Sequence, residues 1–401
     1  MRVKSESMDV LRCTYDGLDA EHIERAISFF EGDLTLPRPI TIHFDLTFRC
    51  SARCIHCKQW TWPTIDELQN NQVLKLIDIF ASWGVKTITF GGGNPLLASS
   101  LGTALKHAKG NNIDTAIISE GVFSSDFCWD ELASYISWIR FSIDGHIPEI
   151  HDAIRGKKGL FNAVVDNIKS IKKRSSRTVV GINCLLQKKN FNYIDEICRF
   201  ASKLNVDALN FKVPHGGTMI DAINLTDSEW EDVAVRLNNA NEYGVRTNSK
   251  QLSHAISHVF GCRSLSEGKP LKAFYSTRKL HCYAVGLLLV CDAQGDLYPC
   301  DYLQYDTRPW GGKHGTSRKE FVIGNLLRDY EGVKDSIRTV LIKAHEAPYR
   351  KFDECFSCTR FWQLNEAVEE TISCSAINKS ILKENPSNEA CCSQSEHSVF
   401  L

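Results

Sequence analysis

The period of the hydrophobic positions changes several times along the chain, and each change predicts an element. Residues 19–31 space Ile23, Ala26, Ile27 and Phe30 three to four apart, which puts them on one face of a helix. Pro37 and Pro39 interrupt the chain, and 40–46 follow as a largely apolar, β-branched run that reads as a strand. The capping-box pattern Thr64-Ile65-Asp66-Glu67 predicts a helix that carries Ile65, Leu68, Leu76, Ile77 and Phe80 and ends at Gly84. Strand-like runs recur at 85–90, 114–118, 138–143, 179–186 and 208–213, with helical stretches at 101–108, 160–173 and 193–204.

Six strands alternating with helices over about 38–215 predict a parallel α/β sheet, open or barrel-like. Ligands of such sheets sit in the loops at the carboxyl ends of the strands. Beyond it, a second capping box, Thr226 to Glu229, opens a helix within a less regular connecting segment, 216–280. Residues 281–374 are rich in Cys and aromatic side chains and no longer alternate. The Ser/Asn/Glu-rich tail, 375–401, is expected to be weakly ordered.

Charge adds little: 47 Lys+Arg against 48 Asp+Glu leave a net charge of −1, with no general field for nucleic acid. The longest apolar run, 283–291, is far short of the roughly 20 residues that span a bilayer. The first residues carry no apolar signal region, so the expectation is a cytoplasmic protein with neither nucleic acid nor membrane as partner. The 16 cysteines do change the picture. A long chain that is not Cys-dense throughout uses clustered cysteines for metal or catalysis rather than for a disulfide framework.

Directly after the first strand stand Cys50, Cys54 and Cys57, spaced C-x3-C-x2-C. Thiolates this close compete for a soft metal. A closed zinc site wants a fourth ligand, and His56, adjacent to Cys57, is poorly placed to be it. Three thiolates on a 4Fe–4S cluster leave one iron open. The other strand ends read Gly91-Gly92-Gly93-Asn94-Pro95, then Ser119-Glu120-Gly121, then Ser142-Ile143-Asp144-Gly145 with Arg155 downstream. Glu120 reads as an exposed turn carboxylate and Lys212 as a snorkelling lysine, each with a pocket-facing position as the alternative.

A second set comprises Cys282, Cys291, Cys300 and the Cys355-x2-Cys358 pair. Residues 282–300 read as a hairpin that delivers Cys282 and Cys300 to one end, with Cys291 a buried thiol. Two plus two thiolates would close a tetrahedral zinc or a 4Fe–4S cluster, and spacing does not choose between them. Cys13, Cys128, Cys184, Cys198 and Cys262 read as isolated thiols.

With these motifs the chain resembles the radical S-adenosylmethionine (radical SAM) superfamily. The resemblance implies a partial (β/α)6 barrel in which Cys50, Cys54 and Cys57 hold a 4Fe–4S cluster and SAM chelates the open iron. It places His56 by the adenine and Gly92, Gly93 and residue 94 at the SAM amino group. Ser142 would contact SAM, and Arg155 would reach its carboxylate or ribose. At the second strand the family pattern is Gly-Gly-Glu-Pro, where this chain has Asn94. At the third, relatives often have Thr-Asn-Gly, where this chain has Ser119-Glu120-Gly121. Cys282, Gly295, Cys300, Cys355 and Cys358 resemble the SPASM/Twitch extension of radical SAM enzymes. That implies a small Cys-rich α+β domain over 281–374 with one auxiliary 4Fe–4S cluster, after an N-terminal helical extension (1–37), the barrel (38–215) and the connecting segment. The implied activity is reductive cleavage of SAM, fed by an external one-electron donor such as flavodoxin or ferredoxin, to a 5′-deoxyadenosyl radical that takes a hydrogen from the substrate. The substrate expected is a ribosomally made precursor peptide that is crosslinked or oxidised. The alternatives are a small alcohol such as an aminocyclitol sugar, which would be dehydrogenated, and a non-catalytic, metal-stabilised binding protein.

Overall fold

The computed structural model describes residues 20–346 apart from 34, 58, 62–66, 125–128, 130–132, 175–176, 215–222, 224, 251, 254–255, 257–281, 302 and 305–320. Within them β1 (Thr41–Thr47) is the strand on which the rest is laid out. Its Ile42, Phe44 and Leu46 side chains are buried toward α2 (Asn70–Ser82), where Phe44 meets Phe80 edge-on at 5.7 Å. Each such side chain contributes about 1.5–3 kcal/mol by leaving water. The alternate residues, His43, Asp45 and Thr47, face the other way, because successive strand side chains point to opposite faces.

The same division runs through β2 (Thr87–Gly92), β3 (Asp114–Ser119), β4 (Trp138–Ser142), β5 (Val179–Leu185) and β6 (Ala208–Lys212). All six strands are parallel and lie in sequence order from β1 to β6. One face is apolar, with Ile88, Phe90, Ile117, Ile139, Phe141, Val180, Ile182, Leu209 and Phe211 fully or almost fully buried. The opposite face carries Thr89, Ala116, Arg140, Ser142, Asn183 and Asn210, polar or small. The helices α3 (Leu101–Gly110), α4 (Pro148–Arg155), α5 (Leu160–Arg174) and α6 (Ile194–Lys203) lie between successive strands. This is the strand order and alternation of a partial (β/α)6 barrel, as the sequence predicts.

The sheet does not stop at β1. A strand from the Cys-rich region, β7 (Leu288–Cys291), pairs with it in parallel, Thr41 beside Leu288, and β8 (Asp296–Tyr298) and β9 (Gly324–Asn325) follow antiparallel. The leading helix α1 (Ala20–Phe30) buries Ala26, Ile27 and Phe29 and stacks Phe30 on His345 at 4.0 Å, the last residue of α8 (Tyr330–His345). The expected capping box at Thr226 is present, Glu229 Oε2 accepting from the Thr226 N–H at 2.7 Å, and it opens α7 (Asp227–Asn239). The one expected at Thr64 lies largely outside the described residues. In α2 the Gln72 side chain caps the Gln69 N–H at 2.9 Å instead. Among the described residues no helix is long and apolar enough to cross a membrane.

Candidate active site

The ends of β1, β2, β3 and β4 converge on the cysteine loop, and α4 holds that loop from below. Arg53 N–H donates to the Arg155 carbonyl at 2.9 Å and Ile55 N–H to that of Ile154 at 3.0 Å. Gly156 (φ +63°) ends α4, and a Cβ there would stand 2.3 Å from the Arg53 carbonyl oxygen, so only glycine allows this approach. A similar contact joins β1 to β2. Gly92 (φ +103°) and Gly93 lie under the loop, where Cβ atoms would come within 2.3 Å of the Thr47 oxygen and 2.2 Å of the Arg49 oxygen. The Gly93 and Asn94 N–H groups donate to those two carbonyls at 2.8 and 2.7 Å.

Cys54 is buried, while Cys50 and Cys57 are half-buried. Burial pushes the Cys50 thiol up to about 12, with the Glu120 carboxylate adding to the effect. Burial likewise takes Cys57 to about 11, and raises Cys54 against the pull of Arg155. Beside them Arg155, itself buried, pairs Nε with Asp144 Oδ2 at 2.6 Å and brings Nη1 to 3.7 Å from Cys54 Sγ. Burial alone would raise the Asp144 carboxyl, but the Arg155 guanidinium, with His56, His151 and the Leu185 N–H adding to it, outweighs burial and holds the group below its ordinary value. Asp144 Oδ1 accepts from Leu185 N–H at 2.8 Å, and its own N–H donates to His151 Nδ1 at 3.2 Å. Arg155 is thus wired into the fold, with Asp144 and Cys54 as its partners.

His56 Nδ1 stands 3.5 Å from Gln187 Nε2, next to the end of β5. Ser142 is half-buried at the end of β4, in register with Asn183, which is in register with Asn210 on β6. Asn94 is fully buried, and its amide is engaged on both sides: Nδ2 donates to Glu120 Oε1 (3.2 Å) and the Val122 carbonyl (2.6 Å), and Oδ1 accepts from Ser119 Oγ (2.7 Å) and Leu96 N–H (3.3 Å).

Glu120 corrects the reading of an exposed turn carboxylate. It is buried, and its Oε1 accepts from Ser51 N–H at 3.0 Å and Ser51 Oγ at 2.6 Å, directly after Cys50. The signal that finds it is parity: residues 116, 118 and 120 share the face that Ser142 shares one strand on. The same parity singles out Asn183 and Asn210, which motif reading missed. Lys212 is half-buried at the end of β6, opposite Leu185.

Of the second cysteine set, Cys282 N–H donates to the His345 carbonyl at 2.9 Å, so the end of α8 is tied to it. Cys300 is half-buried and follows β8. Val290 faces Tyr298 across the hairpin, so continuing that register sets Cys300 opposite Leu288, at the start of β1. Cys291 is fully buried, as are Cys184 and Cys198. Cys355, Cys358, Cys13, Cys128 and Cys262 lie outside the described residues.

The radical SAM superfamily profile matches residues 45–201, which run from the end of β1 through α6. Among curated proteins the chain is similar to the mycofactocin maturase MftC of Mycolicibacterium smegmatis, 22% identical over 77% of this chain and 72% of the relative. It is also similar to an AdoMet-dependent heme synthase of Oleidesulfovibrio alaskensis, 23% identical over 71% and 77%. In fold it is similar to Streptococcus suis SuiB bound to the precursor peptide SuiA, with a TM-score of 0.53 at 14% identity, over 81% of this chain and 75% of that one. The matched segment contains the cysteine loop, the Gly-Gly turn and the Ser142–Arg155 stretch, so residues 45–201 carry a radical SAM domain and the chain is a SAM-dependent enzyme.

Proposed function

We propose that this enzyme matures a ribosomally made peptide, with Cys50, Cys54 and Cys57 as ligands of the SAM-binding 4Fe–4S cluster. Membership of the superfamily implies a 4Fe–4S cluster and SAM, and the donor set suits such a cluster. Three thiols whose burial resists ionisation are stable as thiolates only against a metal core. Each thiolate of a cubane cluster binds its own iron, so the sulfurs need not meet at a point. Among the described residues no three His, Cys, Asp or Glu groups gather to hold a single ion. When bound, the reduced cluster supplies one electron that cleaves SAM to methionine and a 5′-deoxyadenosyl radical.

The chain's own residues prepare that event. The α4 end and the Gly92-Gly93 turn fix the loop, the Arg155 guanidinium lies against Cys54 and balances its thiolate charge, and His56 and Ser142 border the space above. The polar face of the sheet receives the substrate. There Asn183 Oδ1 and both amide atoms of Asn210 are buried without a hydrogen-bond partner among the described residues. A buried unpaired amide is costly, and one that offers both donor and acceptor suits a peptide backbone. Cys282, Cys300, Cys355 and Cys358 are the proposed ligands of one auxiliary cluster.

What carries the peptide reading is the likeness to a maturase over most of both chains, supported by the fold shared with a peptide-bound enzyme. The test is anaerobic incubation of reconstituted enzyme with SAM, a reductant and the peptide encoded by a short reading frame beside its gene. The expected outcome is peptide-dependent 5′-deoxyadenosine and loss of hydrogen from the peptide by mass spectrometry. Turnover of a polyhydroxylated amino alcohol, with none of the peptide, would move the assignment to the dehydrogenase reading.

A further inference from the structure

The carboxylate of Glu120 has two oxygens in very different circumstances. Oε1 accepts from Ser51 N–H, Ser51 Oγ and Asn94 Nδ2. Oε2 is buried and meets no donor among the described residues. Lys157 comes near, but its Nζ donates to Ser51 Oγ and forms no ion pair with Glu120. A carboxylate held by one oxygen, with the other buried and bare, is oriented for a donor that arrives from outside the chain. It faces the loop that starts at Cys50, where the radical SAM assignment puts SAM and therefore an α-amino group.

The residue that would ordinarily be assigned to that amino group is Asn94, at the end of β2. Its geometry rules it out. An amide has two hydrogens and two acceptor positions, and all four are spent: on Glu120 and the Val122 carbonyl by Nδ2, and on Ser119 and Leu96 by Oδ1. Nothing of Asn94 is left to accept from an amino group. Relative to the family pattern, amide and carboxylate have changed places between two adjacent strand ends, and the exchanged residues touch.

We propose that Glu120 Oε2 accepts a hydrogen bond from the SAM amino group, and that Asn94 acts as a positioning residue that aims the carboxylate. The site keeps one carboxylate for the amino group, moved from the second strand to the third. The inference rests on the radical SAM reading and deepens it, since the ligand is the same and the residue that recognises its amino group is new.

The test is equilibrium binding of SAM, and of the SAM analogue whose amino group is replaced by hydrogen, to anaerobic cluster-loaded protein. Iron per chain is measured on every sample. Glu120→Gln keeps the size of the side chain and an oxygen for the Ser51 bonds, but removes the charge. It is expected to weaken SAM binding about 10- to 100-fold, the scale of a lost charge-assisted hydrogen bond. Binding of the analogue should stay as in wild type. The exchanged double variant, Asn94→Glu with Glu120→Asn, should recover SAM binding and its preference over the analogue. Unchanged SAM affinity in Glu120→Gln, or equal weakening toward SAM and analogue, would overturn the proposal. If Glu120→Gln loses iron, the double variant decides: iron-loaded and indifferent to the amino group, it also overturns it. Wild-type protein that holds iron yet binds no SAM would instead sink the radical SAM reading, which separates the two failures.

Discussion

At the scale of single residues, the group around Cys54 is a buried chain of charge: Cys54, Arg155, Asp144 and then His151 behind them. His151 is fully buried, and burial, followed by the nearby Arg155 charge, lowers its pKa to about 4. The sign follows directly. An unfolded histidine titrates near 6.5, so below that pH the unfolded chain binds a proton that the fold refuses until about 4. Stability is therefore complete above pH 6.5 and falls as the pH drops through the interval toward 4. Between pH 7 and 5 the loss from this residue is about 2 kcal/mol. His151→Asn keeps an acceptor for the Asp144 N–H and cannot be protonated, so it should flatten that part of the profile. Anaerobic unfolding at a series of pH values measures it, and parallel profiles for the two proteins would refute the assignment. Little of this was legible in the sequence. Cys50, Cys54 and Cys57 announce themselves by spacing, but the burial of Glu120 and the pairing of Arg155 with Asp144 depend on which way a strand end turns.

At the scale of elements, the site depends on two places where backbone meets backbone. The cysteine loop rests on the α4 end at Gly156 and on the β2 end at Gly93. Gly156→Ala would need an alanine at φ +63° with its Cβ 2.3 Å from the Arg53 oxygen, and Gly93→Ala would put one 2.2 Å from the Arg49 oxygen. Carbonyl oxygens of a pinned loop cannot step aside, so the loop itself must move. Both variants should fall toward about half the wild-type iron after reconstitution and desalting, the auxiliary share being kept, since Cys54 is carried by the segment displaced. Gly110→Ala, where nothing lies within 4 Å of the added carbon, is the control and should retain all of it. Equal retention in all three would show that the loop tolerates these contacts being broken. The six strands were legible because alternation and β-branched runs are local signals. Two helices were not. The α4 stretch is only eight residues long, although Pro148 and Gly156 mark its ends. In α8 the helical spacing of Val333, Ile337, Val340, Leu341 and Ala344 is present, but it lies in a region whose glycines and cysteines dominate the composition.

At the scale of the whole molecule, the parallel pairing of β7 with β1 relates the two cysteine sets. β1 runs from Thr41 to Thr47 and leads into the Cys50 loop. The hairpin register puts Cys300 beside its start, and Cys282 is tied to the end of α8. Six strand steps of about 3.3 Å separate the two ends of β1, roughly 20 Å. With the two proposed clusters at those ends, that distance would leave room for a substrate between them. α8 ends at His345, whose carbonyl accepts from Cys282 N–H, shortly before Cys355 and Cys358 in the sequence. The arrangement predicts two independent iron populations. Anaerobically reconstituted protein should carry about eight irons, with matching sulfide, at four per cluster. Replacing Cys50, Cys54 and Cys57 together by Ala should leave about four and abolish SAM cleavage. Replacing Cys282 and Cys300 by Ala should also leave about four, but cleavage of SAM should persist while conversion of the substrate stops. If the second variant keeps all its iron, the auxiliary assignment of Cys282 and Cys300 fails. If the first binds as much iron as wild type, the cysteine loop is not the cluster site, and the mechanism built on it falls with it.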